Sequence, residues 1–166
     1  MTNNNITPIS STNSGAEAAE TYSQKRQRIR EELKAAGVTG FGLNKFNSRY
    51  LPQVIHDHEH ILGVIYGRFG EGPGLLSLTD RMVVATDLRV VSLNRKPGYT
   101  YVDEFTYDII DGVVETRAGP FAAVTLNTKV AHFTIRFVNV RCADIFVHYI
   151  EKRRLEHFQK REASGR

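Results

Sequence analysis

The chain has 166 residues, 41% hydrophobic and 24% charged, with a net charge of +4. That suffices for one domain with a sizeable core, hardly for two, and it excludes collagen-like and fully disordered classes. The single cysteine, Cys142, excludes a disulfide framework and a zinc site built of thiolates.

No apolar run approaches the roughly 18 residues of a membrane span. The N-terminus lacks the basic-then-apolar order of a signal peptide, so a cytoplasmic address is expected. The positive excess is +1 over residues 1–36, zero over 37–140 and +3 over 141–166. A neutral centre with basic ends is a weak footprint for nucleic acid. Lys25, Arg26, Arg28 and Arg30, with Arg153, Arg154, Lys160 and Arg161, read as solvated helix faces. No basic strand face interleaved with stacking aromatics accompanies them.

Residues 1–20 are rich in Asn, Ser and Thr and have little to bury, which predicts a disordered arm. Residues 21–44 hold a helix and a connection. Lys25, Gln27, Glu31 and Lys34 favour the helix, Ile29 and Leu33 supply an i, i+4 apolar pair, and Gly37 is the stop. A second short helix is expected between 44 and 55, anchored by Leu51, Val54 and Ile55. Pro52 should then lie in its first turn or divide it.

From Ile61 the pattern turns to period two. Runs at 60–69, 81–86, 89–94, 100–107, 112–118, 120–127 and 130–138 read as strands joined by short turns. In the last run Ala131, Phe133, Ile135 and Phe137 face one side, and His132, Thr134 and Arg136 the other. Crossover helices do not fit in such connections, so an antiparallel meander is expected. Cys142, Phe146, Tyr149 and Ile150 then form a helical stripe. Residues 159–166 read as a flexible basic tail.

Three clusters invite a chemical reading. His56, His58 and His60 alternate around Asp57 and Glu59, and three imidazoles on one side of an extended strand can ligate zinc, nickel or copper. The simpler reading is a polar lead-in to the first strand. The glycines at 70, 72 and 74 suggest a phosphate cradle, but no helix start or lysine follows, so a long turn is preferred. Cys142 lies in the apolar stripe, as a buried hydrophobe would, and nothing nominates a base beside it. Asp103 and Glu104 project to opposite faces of a strand. His132 and His148 read as surface residues. No cofactor is implied, and a non-enzymatic protein is expected.

The order of seven strands and a helix, with the residues Asp57-His58-Glu59-His60-Ile61, Met82-Val83-Val84-Ala85-Thr86-Asp87-Leu88-Arg89, Tyr107-Asp108-Ile109-Ile110 and Phe133-Thr134-Ile135-Arg136-Phe137, resembles the bacterial pleckstrin-homology-like domains, especially the YokE-like group. The resemblance covers residues 45–158. It implies a mostly β protein with flanking α: a split barrel of about seven antiparallel strands capped by a C-terminal helix and preceded by one or two short helices. It implies a binding module, with protein–protein interaction or self-assembly as the expected role. In the resembling fold the loops after strands one, three and six gather at one mouth. Here those loops and their stems carry Arg68, Arg81, Arg95, Lys96 and Lys129, a candidate site for weak, salt-sensitive attraction to phosphate-bearing ligands, to acidic protein surfaces or to the inner face of an anionic membrane. Residues 70–78 carry no cation, a departure from inositol-lipid binders.

Overall fold

The computed structural model describes residues 20–43, 45–70 and 79–164. Most of the expected arm and nearly all of the glycine-rich turn lie outside them. Helix α1 (Tyr22–Ala35) opens with a reciprocal cap: Gln24 N–H donates to Thr21 Oγ1 and Thr21 N–H to Gln24 Oε1. It stops before Gly37, whose φ of 91° suits glycine. Ile29 and Leu33 are buried, as their spacing requires. Glu20, placed in the arm by composition, forks onto Arg28 with two contacts of 2.9 Å.

Helices α2 (Gly40–Leu43) and α3 (Phe46–Val54) follow. Pro52 is the seventh residue of the nine in α3, neither in the first turn nor a break. A proline in a last turn removes only one helical donor, and the ladder resumes at once, with Ile55 N–H on the Leu51 carbonyl at 2.9 Å.

All seven strands form, each within two residues of its expected ends: β1 (Ile61–Phe69), β2 (Thr79–Thr86), β3 (Val90–Lys96), β4 (Tyr99–Phe105), β5 (Ile110–Ala118), β6 (Phe121–Thr128) and β7 (His132–Asn139). They build one antiparallel sheet in the order β4-β3-β2-β1-β7-β6-β5. The sheet does not close, and β4 and β5 are its two ends. Helix α4 (Val140–Ser164) follows directly and runs six residues past the boundary expected at 158. The protein is mostly β with flanking α. Among the described residues no helix is long and apolar enough to cross a membrane.

Strands β1–β3 are buried on both faces. One face, with Ile65, Val83, Ala85 and Val90, joins Val124 and Leu126 of β6, Ile135 of β7 and Phe146 and Ile150 of α4. The other, with Val64, Met82, Val84, Val91 and Leu93, is covered by Ile29, Leu33, Leu43 and Leu51 from α1–α3. Two-sided burial is why Met82-Val83-Val84-Ala85 reads as a continuous apolar run. Glycine at 63 admits α4, since a Cβ there would stand 3.0 Å from the Phe146 Cα.

Strand β7 departs from its expected register. Ile135 is buried and Phe133 packs against the core, but Phe137 is 53% exposed and Val138 takes the inward place. Between the pairs Ala122↔Val138 and Val124↔Ile135, β7 carries one residue more than β6. Phe137 absorbs it at a φ of 59°, so the strand bulges and every later side chain changes face. The paired positions of β1 and β7 are Arg68↔Arg136 and Phe69↔Ile135, and the bulge lies immediately beyond them. At that crossing β1 needs glycine: a Cβ on Gly67 would meet the Arg136 carbonyl oxygen at 2.2 Å.

Candidate functional site

The distinctive Thr86-Asp87-Leu88-Arg89 hairpin locks the strand lead-in. Glu59 is fully buried, with Oε1 accepting from Arg89 Nε at 2.9 Å and from Thr86 Oγ1 at 2.8 Å. Its Oε2 accepts from His56 N–H at 2.7 Å and Arg89 Nη2 at 3.1 Å. Burial alone would raise the Glu59 pKa, but the bonds from Arg89, His56 N–H and Thr86 outweigh it and hold the carboxyl below its ordinary range. Arg89 also donates to the Val54 carbonyl at 3.0 Å and pairs with Glu104. Asp87 exchanges bonds with the His60 backbone, at 3.0 Å to the carbonyl and 2.9 Å from the N–H. Tyr107 and Tyr149 both donate to the Thr86 carbonyl. With both Glu59 oxygens committed, this is a structural clamp.

The clamp and α1 draw the histidines to separate partners. His56 lies 3.6 Å from Glu59 and 3.3 Å from Arg89, whereas His60 Nδ1 meets Glu32 at 2.7 Å. His58 is exposed at a φ of 63°. Among the described residues no three His, Cys, Asp or Glu side chains form a metal-binding group. Asp103 and Glu104 go to different arginines, Arg81 and Arg89, as their alternation predicts. Cys142 is buried, and burial pushes its thiol pKa up, away from the thiolate.

The five expected cations divide three ways. Arg81 turns to the β5–β7 side, 3.2 Å from Asp103, with its guanidinium 4.2 Å from the Phe69 ring and 5.0 Å from that of Tyr101. Lys129 lines a cavity with Asp111, Arg154 and Phe158, at the C-terminal part of α4. Arg68, Arg95 and Lys96 line two adjoining hollows on the side that α1–α3 cover. Arg68 stands 3.8 Å from Asp80, and Arg95 lies 4.0 Å over the Tyr50 ring.

Those hollows, about 420 and 370 Å³, share Lys45, Tyr66 and Asp80 and so form one cleft. It is lined by Val64, Tyr66, Gly67 and Arg68 of β1 and, after α1, by Val38 and Lys45. The lining also holds Phe121 and Phe137, edge to face at 6.2 Å with both rings about half exposed. Lys45 Nζ rests 3.6 Å over the Tyr66 ring, and burial draws its pKa below the ordinary lysine value, against the pull of Asp80. Burial, then the hydrogen bond to Asp80, raises that of Tyr66. Lys45, Tyr66, Phe121 and Phe137 were not sequence candidates. Their one signal is the adjacent Phe137-Val138, which breaks the alternation of β7 where the cleft begins.

No family model matches the chain, and no curated protein does. Among solved structures it is similar to the crystal structure of the C-terminal domain of an unknown protein from Leishmania infantum, at 14% identity and a TM-score of 0.41, over 58% of this chain and 84% of that one. A likeness that loose bears on neither mechanism nor ligand.

Proposed function

We propose that the chain is a non-enzymatic, cytoplasmic binding module of the pleckstrin-homology-like kind, and that it docks a segment of another protein in the cleft where β1 and β7 part. Seven antiparallel strands followed by a helix support the architectural half of this reading. The observation that carries the functional half is Phe137. A bulky residue at a φ of 59° is strained by about 1–3 kcal/mol. Here that strain turns an aromatic ring out of the core and beside Phe121, on the wall of a cleft. Bulges re-aim side chains, and paired rings at a cleft are common anchors for a partner's apolar side chain. The membrane reading is weaker, because Arg81 is committed to Asp103 and Lys129 sits apart, leaving fewer cations on any one surface.

Selection from a random peptide display library tests the reading, with Phe137→Gly as control. Glycine relieves the backbone strain while the ring's contacts are lost, so the variant should stay within about 1 kcal/mol of wild type in stability. The wild type should enrich a shared peptide pattern that the variant does not. Equal enrichment by both proteins, or none, overturns the proposal. A concentration-dependent dimer by light scattering, abolished by Phe137→Gly, would identify the segment as another copy of this chain.

A further inference from the structure

Resting on that binding reading, we infer that the docked segment is apolar at one end and acidic at the other, and about six residues long. Among the described residues lining the cleft, Lys45, Arg68, Arg95 and Lys96 face a single acid, Asp80. The basic excess is local, since residues 37–140 carry ten cations and ten anions. It is also graded. Phe121 and Phe137 stand at the β6–β7 end, Lys45 and Arg68 in the middle, and Arg95 with Lys96 at the β3 end.

The path from Phe121 to Arg95 crosses β6, β7, β1, β2 and β3, four neighbouring steps in the sheet. At about 4.8 Å per step this is roughly 19 Å. An extended chain covers that distance in about six residues. An apolar side chain against the two rings thus places carboxylates three to five residues along beside the cations. Lys45, its ammonium 3.6 Å over the Tyr66 ring, places a cation in the middle of that path. The Tyr50 ring beneath Arg95 and the 2.7 Å bond from Arg95 N–H to Asn47 Oδ1 steady the far end.

Fluorescence polarisation with labelled hexapeptides tests the inference. The probe carries leucine at one end and two glutamates at the other, in both chain directions, beside glutamine and lysine analogues. The glutamate peptide should bind about tenfold tighter than the glutamine one, and the preference should shrink with added salt as exposed charges are screened. Lys96→Glu, alone and with Arg95→Glu, should remove the preference while the thermal transition stays near that of wild type. Phe137→Gly should weaken every peptide alike. If glutamate and glutamine peptides bind equally and Phe137→Gly weakens both, the acidic inference is overturned and the docking reading stands. If no peptide binds, both fall. Displacement of the glutamate peptide by phosphatidylserine vesicles, but not by neutral vesicles, also overturns the inference and assigns the cations to lipid.

Discussion

At the scale of single residues, the side chains with the most conspicuous chemistry are used for architecture. Glu59, Thr86 and Arg89 form a buried, fully bonded cluster, and its effect should be visible in acid. Because the folded-state pKa of Glu59 lies below its ordinary value of 4.5, the charged carboxylate contributes stability above that pH. The contribution is lost as pH falls through the folded pKa. The carboxylates Glu20, Asp57 and Glu156 shift the same way, but they lie at the surface, Asp57 exposed and the other two half-buried, where solvent screens them. The melting temperature should therefore drop below about pH 4.5, and Glu59→Gln should flatten that drop while lowering stability at pH 7 by about 3 kcal/mol, the usual result of breaking a buried pair. An acid limb as steep in Glu59→Gln as in wild type would show that the cluster contributes nothing. The hairpin motif was conspicuous in the sequence, but its partner was not. Glu59 and Arg89 lie 30 positions apart, and only the fold shows that they meet without a vacancy.

At the scale of elements, helix α1, the seven strands and the start of α4 follow from patterning, because each buries a face whose period is local. What escaped was non-local. Phe137 continues the alternation of Phe133 and Ile135, and although the apolar Val138 after it breaks that pattern, only pairing with β6 shows which of the two turns outward. The position of Pro52 depends on helix α3 being too short to need another donor. Glycine at 67 looks like any small residue until Arg136 is laid across it. That crossing gives the element-scale prediction. Gly67→Ala should cost about 1–3 kcal/mol or more, since backbone must move rather than a flexible side chain. Amide exchange should speed at Arg68, Phe69, Ile135 and Arg136, where β1 and β7 pair. Unchanged protection there would mean that the crossing tolerates a methyl group and that glycine is not what lets the strands approach.

At the scale of the whole molecule, the β1–β3 part of one open sheet is packed on both sides, by α4 with β5–β7 and by α1–α3. The cleft lies where the second layer meets the point at which β1 and β7 part, so its lining comes from the stretch after α1, from α2 and α3, and from β6, β7 and α4 at once. No sequence window contains such a site. That is why the charge reading reached Arg68, Arg95 and Lys96 but missed Lys45 and the aromatic wall. Its five cations were grouped by loop, while burial of β1–β3 on both faces sends Arg68 and Arg81 to opposite sides of the sheet. The most direct test of a docking cleft is to titrate a display-selected peptide into isotopically labelled protein and follow backbone amide shifts. The changes should concentrate at Lys45, Tyr66, Gly67, Phe121 and Phe137. Shifts gathered instead around Lys129, Asp111 and Arg154 would contradict the account.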